Sequence, residues 1–180
     1  MNNSSLFRIG GIAAILGVLF LFGAVAIPLL LGIGMLLMAL FYFALDRFNG
    51  SSPLGLAAVG CAAVGGIGIL FTGLTPSTLF NLLMVLAFML PALLAGLAVR
   101  GKPGLPRILP FVGMVGGALG IVNAIVNIAG GGDWTQIANP TLKLLSNLTY
   151  YPGSLLVAAW LVWAGVVLFR SKAALQQQPA

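Results

Sequence analysis

IGGIAAILGVLFLFGAVAIPLLLGIGMLLMALFYFAL, residues 9–45, is the stretch on which the fold turns. Its apolar character is nearly unbroken over about 37 residues, which as one helix would reach about 55 Å. The hydrocarbon layer of a bilayer is only about 30 Å thick, and about 20 apolar residues cross it. The run is therefore too long for one crossing and must fold back. Gly23 and Pro28 bracket the turn, because proline suits the first turn of a helix and is poorly tolerated further inside. The expectation is a first span near Leu6–Ala24 and a second near Pro28–Leu45. Arg8, the run Ile9–Gly23 and Ala24-Val25-Ala26 imitate a signal peptide, but Ile27-Pro28-Leu29 leads straight into another apolar run. The segment is read as a retained span.

The same reading extends outward. Asp46-Arg47-Phe48-Asn49-Gly50-Ser51-Ser52-Pro53 is a loop by its turn residues, and a third span follows near Leu54–Leu74. Thr75-Pro76-Ser77 reads as an N-cap followed by proline at the first helical position. It opens a fourth span near Ser77–Val99, kinked at Pro91. Arg100–Arg107 is a second polar loop, and span five runs near Ile108–Ala129 to a stop at Gly130-Gly131-Gly132. Asn139-Pro140 is another cap-plus-proline start. With Leu142, Leu145 and Leu148 on one stripe and Trp134, Tyr150 and Tyr151 flanking, it predicts a short helix lying in the interface. Span six follows near Pro152–Phe169, and residues 171–180 read as a loose polar tail. The expected fold is all-α: one polytopic domain over residues 1–170 with six transmembrane helices.

Charge supplies independent support. Of the eight Lys and Arg, the six-span map puts Arg8, Arg47, Arg100, Lys102, Arg107, Arg170 and Lys172 on one face and only Lys143 on the other. Such a bias marks the cytoplasmic side and places both termini there. Spans one, three and five are rich in Gly and Ala; each returning span is richer in Leu and ends in a basic cluster, an arrangement of three α-hairpins. The expected location is a bacterial inner membrane. The net charge of +6 thus reads as a topology signal and not as a nucleic-acid footprint.

Composition narrows the chemistry. The chain is 61% hydrophobic and 6% charged, with no His, one Cys and two acids, Asp46 and Asp133. Zinc needs about four Cys, His or acid ligands, or three and a water, so no metal site is expected. A Ser-His-Asp triad lacks its histidine. Asp46 and Asp133 map to opposite faces, so no carboxylate pair forms. The spans hold no acid or base of the kind that marks proton-coupled transport. Gly130–Gly132 followed by Asp133 lacks the Lys-Ser/Thr of a phosphate loop. No enzyme and no cofactor are expected.

Three features remain as candidates. Small residues four apart, Ala58, Ala62 and Gly66 on span three (with Cys61 and Gly65 beside them) and Gly113, Gly116, Gly117 and Gly120 on span five, make flat faces for close helix approach, within the bundle or against a partner subunit. Asn81, Asn123, Asn127 and Asn147, with Thr135 and Gln136, map toward one membrane face, as a polar vestibule or as hydrogen-bonded glue between helices. Trp160 and Trp163 sit inside span six, away from the interfaces where Trp concentrates, and offer a contact for a partner helix or hydrophobic cofactor, or ordinary packing. Leu156 reads as lipid-facing. The functional expectation is a non-catalytic accessory or scaffold subunit, in contact with membrane lipids and other subunits or copies of itself through the Gly/Ala faces. The alternative is a small transporter or channel for an uncharged or lipid-like solute.

The charge map makes a topology prediction. On a Cys61→Ser background, an impermeant thiol reagent applied to intact cells should label Gln136→Cys and spare Lys102→Cys. Labelling at position 102 from outside would reverse the map.

Overall fold

The computed structural model describes residues 3–24, 27, 29–72, 75 and 77–171. Among these, six helical stretches are long and apolar enough to cross a membrane. They are α1 (Asn3–Gly23), α2 (Leu29–Phe48), α3 (Pro53–Thr72), a fourth built from α4 (Thr78–Met84), a π-helical segment (Val85–Met89) and α5 (Leu90–Val99), then α6 (Leu109–Ala129) and α7 (Pro140–Arg170). The readings placed on Pro28, Leu74 and Pro76, and on the tail beyond residue 171, lie outside the described residues.

Local signals explain most boundaries. Ser52 precedes Pro53 and its hydroxyl accepts the Gly55 amide at 3.0 Å, capping α3. Asn139 caps α7 by accepting from Thr141 N and Leu142 N, with Pro140 in the first turn. The fourth span is capped by Ser77, which accepts from Phe80 N, and not by Thr75. α2 continues through Asp46, Arg47 and Phe48, which the turn-residue reading had assigned to a loop. Gly131 and Gly132 follow α6 with φ of 106° and 84°, backbone that glycine adopts without strain.

Two helices depart from expectation. The irregularity near Pro91 begins six residues earlier, as the π-turn Val85–Met89, in which Leu90 N donates to Val85 O. Proline has no N–H to offer the carbonyl four residues back and its ring crowds that carbonyl, so the preceding turn widens to accommodate it. The second departure is a correction. No separate interfacial helix precedes span six, because Pro140–Arg170 is one 31-residue helix running straight through Pro152. At 1.5 Å per residue it is about 46 Å long, well beyond the hydrocarbon thickness.

In space each span packs on the next, and α7 returns to pack on α1, closing a six-membered ring. Every interface of that ring brings a glycine against backbone. A Cβ at Gly17 would lie 3.0 Å from Gly34 O, one at Gly66 3.3 Å from Leu36 N, one at Gly65 2.5 Å from Ala87 N, one at Gly96 2.7 Å from Pro110 O, one at Gly153 3.1 Å from Gly120 N, and one at Gly11 2.5 Å from Gly165 O. Ala58, Ala62, Gly66, Gly113, Gly116, Gly117 and Gly120 are all buried in these contacts. These stripes are thus taken up within the bundle. Leu156 belongs to the same packing: its Cβ lies 2.9 Å from where a Gly116 Cβ would be, and Leu155 is the neighbour that faces outward.

Gly117 makes the sharpest test. A side chain there meets Met89 O at 2.5 Å and Leu93 N at 2.7 Å, backbone atoms that cannot swing aside. Gly117→Ile should abolish folding or sharply lower the detergent melt, whereas Leu155→Ile should leave it within a few tenths of a kcal/mol, the usual scale for exposed sites. Equal tolerance at the two positions would make the close approach incidental.

Candidate functional site

The strongest concentration of polar side chains inside the bundle lies where α6 meets the first turns of α7. Asn123 and Asn127 stand one turn apart on α6, and Ser146 and Thr149 face them from α7; all four are buried. Asn127 Nδ2 donates to Asn123 Oδ1 at 3.0 Å, Asn123 Nδ2 to Ser146 Oγ at 3.1 Å, and Ser146 Oγ back to Asn127 Oδ1 at 2.8 Å. The three bonds form a closed cycle. Asn123 Nδ2 also reaches Ser146 O at 2.8 Å and Thr149 Oγ1 at 3.3 Å, while Thr149 donates back along its own helix to Leu145 O.

Every side-chain nitrogen and oxygen in the cycle has at least one protein partner. A site that recognises a polar solute needs free donors or acceptors aimed at it, and here the side chains are turned toward one another. What the cycle does do is mechanical. It ties the segment before Pro152 to α6, and Gly153 then lets the α7 backbone settle onto Gly120, so the helix stays continuous across the proline. Neighbouring helices and hydroxyl side chains permit proline inside membrane helices in this way.

The other predicted members lie elsewhere. Asn81 is buried at the start of α4, where its Nδ2 donates to Gly132 O at 2.8 Å and Ser77 O at 3.0 Å, anchoring the loop after α6. Trp134 from that loop packs on Phe80, ring centroids 5.2 Å apart. Asn147 and Gln136 are exposed, and Thr135 bonds only to Asp133. One vestibule therefore does not assemble: Asn123 and Asn127 come together, joined by Ser146 and Thr149, which sequence reasoning missed. Their spacing of three on α7 was the available signal, obscured by reading that segment as a separate surface helix.

The tryptophans also part. Trp160 is fully buried at the centre of the ring, stacked on Tyr42 at 5.8 Å between centroids and edge-on to Phe41 at 5.6 Å. Gly113 makes room for its indole. Trp163 faces outward. Inside this aromatic cluster the Tyr42 hydroxyl and Trp160 Nε1 have no hydrogen-bond partner.

Asp46 was the second omission. It is buried at the end of α2, with Oδ1 accepting from Ser52 N and Oδ2 from Ser51 Oγ, both at 2.8 Å. The carboxylate sits at the amino end of α3, where the helix dipole favours negative charge. Gly55 lies directly against it, and a Cβ there would collide with Oδ1.

Replacing Asn123 and Asn127 together with Leu should lower the detergent melt by the equivalent of about 1–3 kcal/mol, since interhelical bonds in membranes average about 0.6 and reach about 1.7 kcal/mol each. The same variant should lose amide hydrogen-exchange protection over residues 140–151 while the rest of α7 keeps it. Unchanged protection there would mean that the cycle does not hold the arm. Against this geometry, no protein-family model, no curated protein and no solved structure matches the chain, so a functional reading rests on its own residues.

Proposed function

We propose that this is a non-catalytic integral membrane protein, an accessory or scaffold subunit that acts by contact with other membrane components. The reading includes both termini on the cytoplasmic side, three α-hairpins and residence in a bacterial inner membrane. The observation that carries it is the amino-terminal arm of α7, which extends the last span well past the hydrocarbon thickness and presents Leu144, Leu148 and Tyr151, each about 60% exposed. The polar cycle stiffens this arm, and a preorganised surface loses less entropy when a partner docks. The Gly/Ala stripes named above pack inside the ring, and the arm supplies an exposed surface for contact.

The filled centre speaks against the solute-conducting alternative. Tyr42, Trp160 and Phe41 pack against one another inside the bundle, and Asn123 and Asn127 are engaged with each other and with Ser146. A transporter or channel would need a polar or water-filled route there.

Native mass spectrometry from membranes should show the chain with a bound partner subunit or a second copy, and Leu144→Ser with Leu148→Ser should remove that mass without lowering the melt. Solute flux in liposomes containing this chain alone would overturn the proposal.

A further inference from the structure

A second feature lies at the other end of the ring, in the connection between α5 and α6. Residues Val99–Phe111 enclose an open cleft of about 500 Å³. Its rim carries Arg100, Lys102 and Arg107, all exposed. The chain has only two acidic side chains, and both are engaged elsewhere: Asp46 with Ser51 and Ser52, Asp133 with Thr135. Three cations therefore line one cleft with neither acidic side chain of the chain beside them.

The cleft is also built to hold its shape. Pro103, Pro106 and Pro110 restrict its backbone, and Gly101 and Gly104 take the positive φ values of 74° and 91° that turn the loop. Gly104 seats the loop against the bundle, with the Phe48 ring 3.2 Å from where a Cβ would be. Phe48 is in turn edge-packed on Phe7. The Arg100 guanidinium sits over the Phe111 ring, 5.4 Å from its centroid, which orients it at the cleft.

From the cleft an exposed apolar stripe runs along α6: Ile108, Phe111, Val115 and Val122, spaced as one helical face. Cations at one end, continuous with an apolar track of about 21 Å, match a molecule with a phosphate at one end and acyl chains at the other. We propose that this cleft binds the phosphate headgroup of an anionic phospholipid, with the acyl chains lying along the α6 stripe. Phosphate is the chemistry that three Lys and Arg side chains lining one cleft recognise, and basic pockets at helix ends are suited to lipid headgroups. The apolar track selects the lipid over a soluble phosphate.

The test titrates phosphatidylglycerol or phosphatidylcholine into the full chain in mild detergent and counts bound lipid by native mass spectrometry. Phosphatidylglycerol should bind in preference to phosphatidylcholine. Arg100→Gln, Lys102→Gln and Arg107→Gln combined should weaken it roughly a hundredfold, because each cation near a membrane surface contributes about fivefold. A charge-matched variant, Arg47→Gln, Lys143→Gln and Arg170→Gln, should keep wild-type binding. Should the cleft triple fail to fold, Lys102→Gln alone carries the test, with an expected loss of about fivefold. Equal losses in the two triples would reduce the effect to net charge and overturn the site. Equal binding of the two lipids would do the same. If millimolar inorganic phosphate displaces the lipid or raises the melt as much as phosphatidylglycerol does, the ligand is a soluble phosphate and the lipid assignment fails.

Discussion

Helices surrounded by lipid gain nothing from hiding apolar side chains from one another, because the hydrocarbon is as apolar as leucine. What remains to hold a bundle together is close contact between backbones, and the whole ring depends on it. Dispersion falls away quickly with distance, so an interface must be tight to be worth anything. This explains where many of the 25 glycines go. Each of the six interfaces has at least one glycine whose missing side chain lets main-chain atoms approach, from Gly11 against Gly165 to Gly153 against Gly120. Larger side chains then fill the space left at the centre, where Trp160 lies in the room made by Gly113. The aromatic cluster and the thin walls are two sides of one solution.

The second constraint is polar closure. A buried amide or carboxylate in this environment costs free energy unless it is bonded. Three buried groups meet the demand locally. Asn123, Asn127 and Ser146 close a cycle, Asn81 spends its amide on Gly132 O and Ser77 O, and Asp46 is absorbed by the turn that begins α3. Each closure has a positional consequence: the first holds α7 to α6 where the helix continues through Pro152, the second seats the loop after α6, and the third fixes the α2–α3 turn. The exposed cations of the 100–107 loop are the contrast. Neither acidic side chain of the chain lies beside them, so their partner is sought outside it.

Much of this was legible in the residues. Apolar run length implied six crossings, and the cap-plus-proline pair Asn139-Pro140 located the start of α7, whereas the fourth span is capped by Ser77 and not by Thr75. Glycines 130–132 marked the end of α6. The candidate site was half legible: Asn123 and Asn127 announced themselves by spacing, but Ser146 and Thr149 did not, because serine and threonine are common at polar surfaces and carry no mark of burial. Pro152 was the most misleading residue, since proline ordinarily ends a helix and nothing local says that a neighbouring helix will hold the turn in line.

By itself, then, the sequence determined the all-helical apolar character, the number of helices long and apolar enough to cross a membrane and the lack of any histidine, because length, hydropathy and residue inventory are properties of the chain and need no partner. Only the tertiary structure decided which faces meet. It turned the Gly/Ala stripes inward, separated Trp160 from Trp163, gathered Ser146 and Thr149 onto the asparagines and joined two expected helices into one. The physical reason is that periodicity separates an apolar face from a polar one only where water is the contrast. In hydrocarbon both faces of a helix are apolar, and the choice between neighbour and lipid is made by shape, which depends on every helix at once.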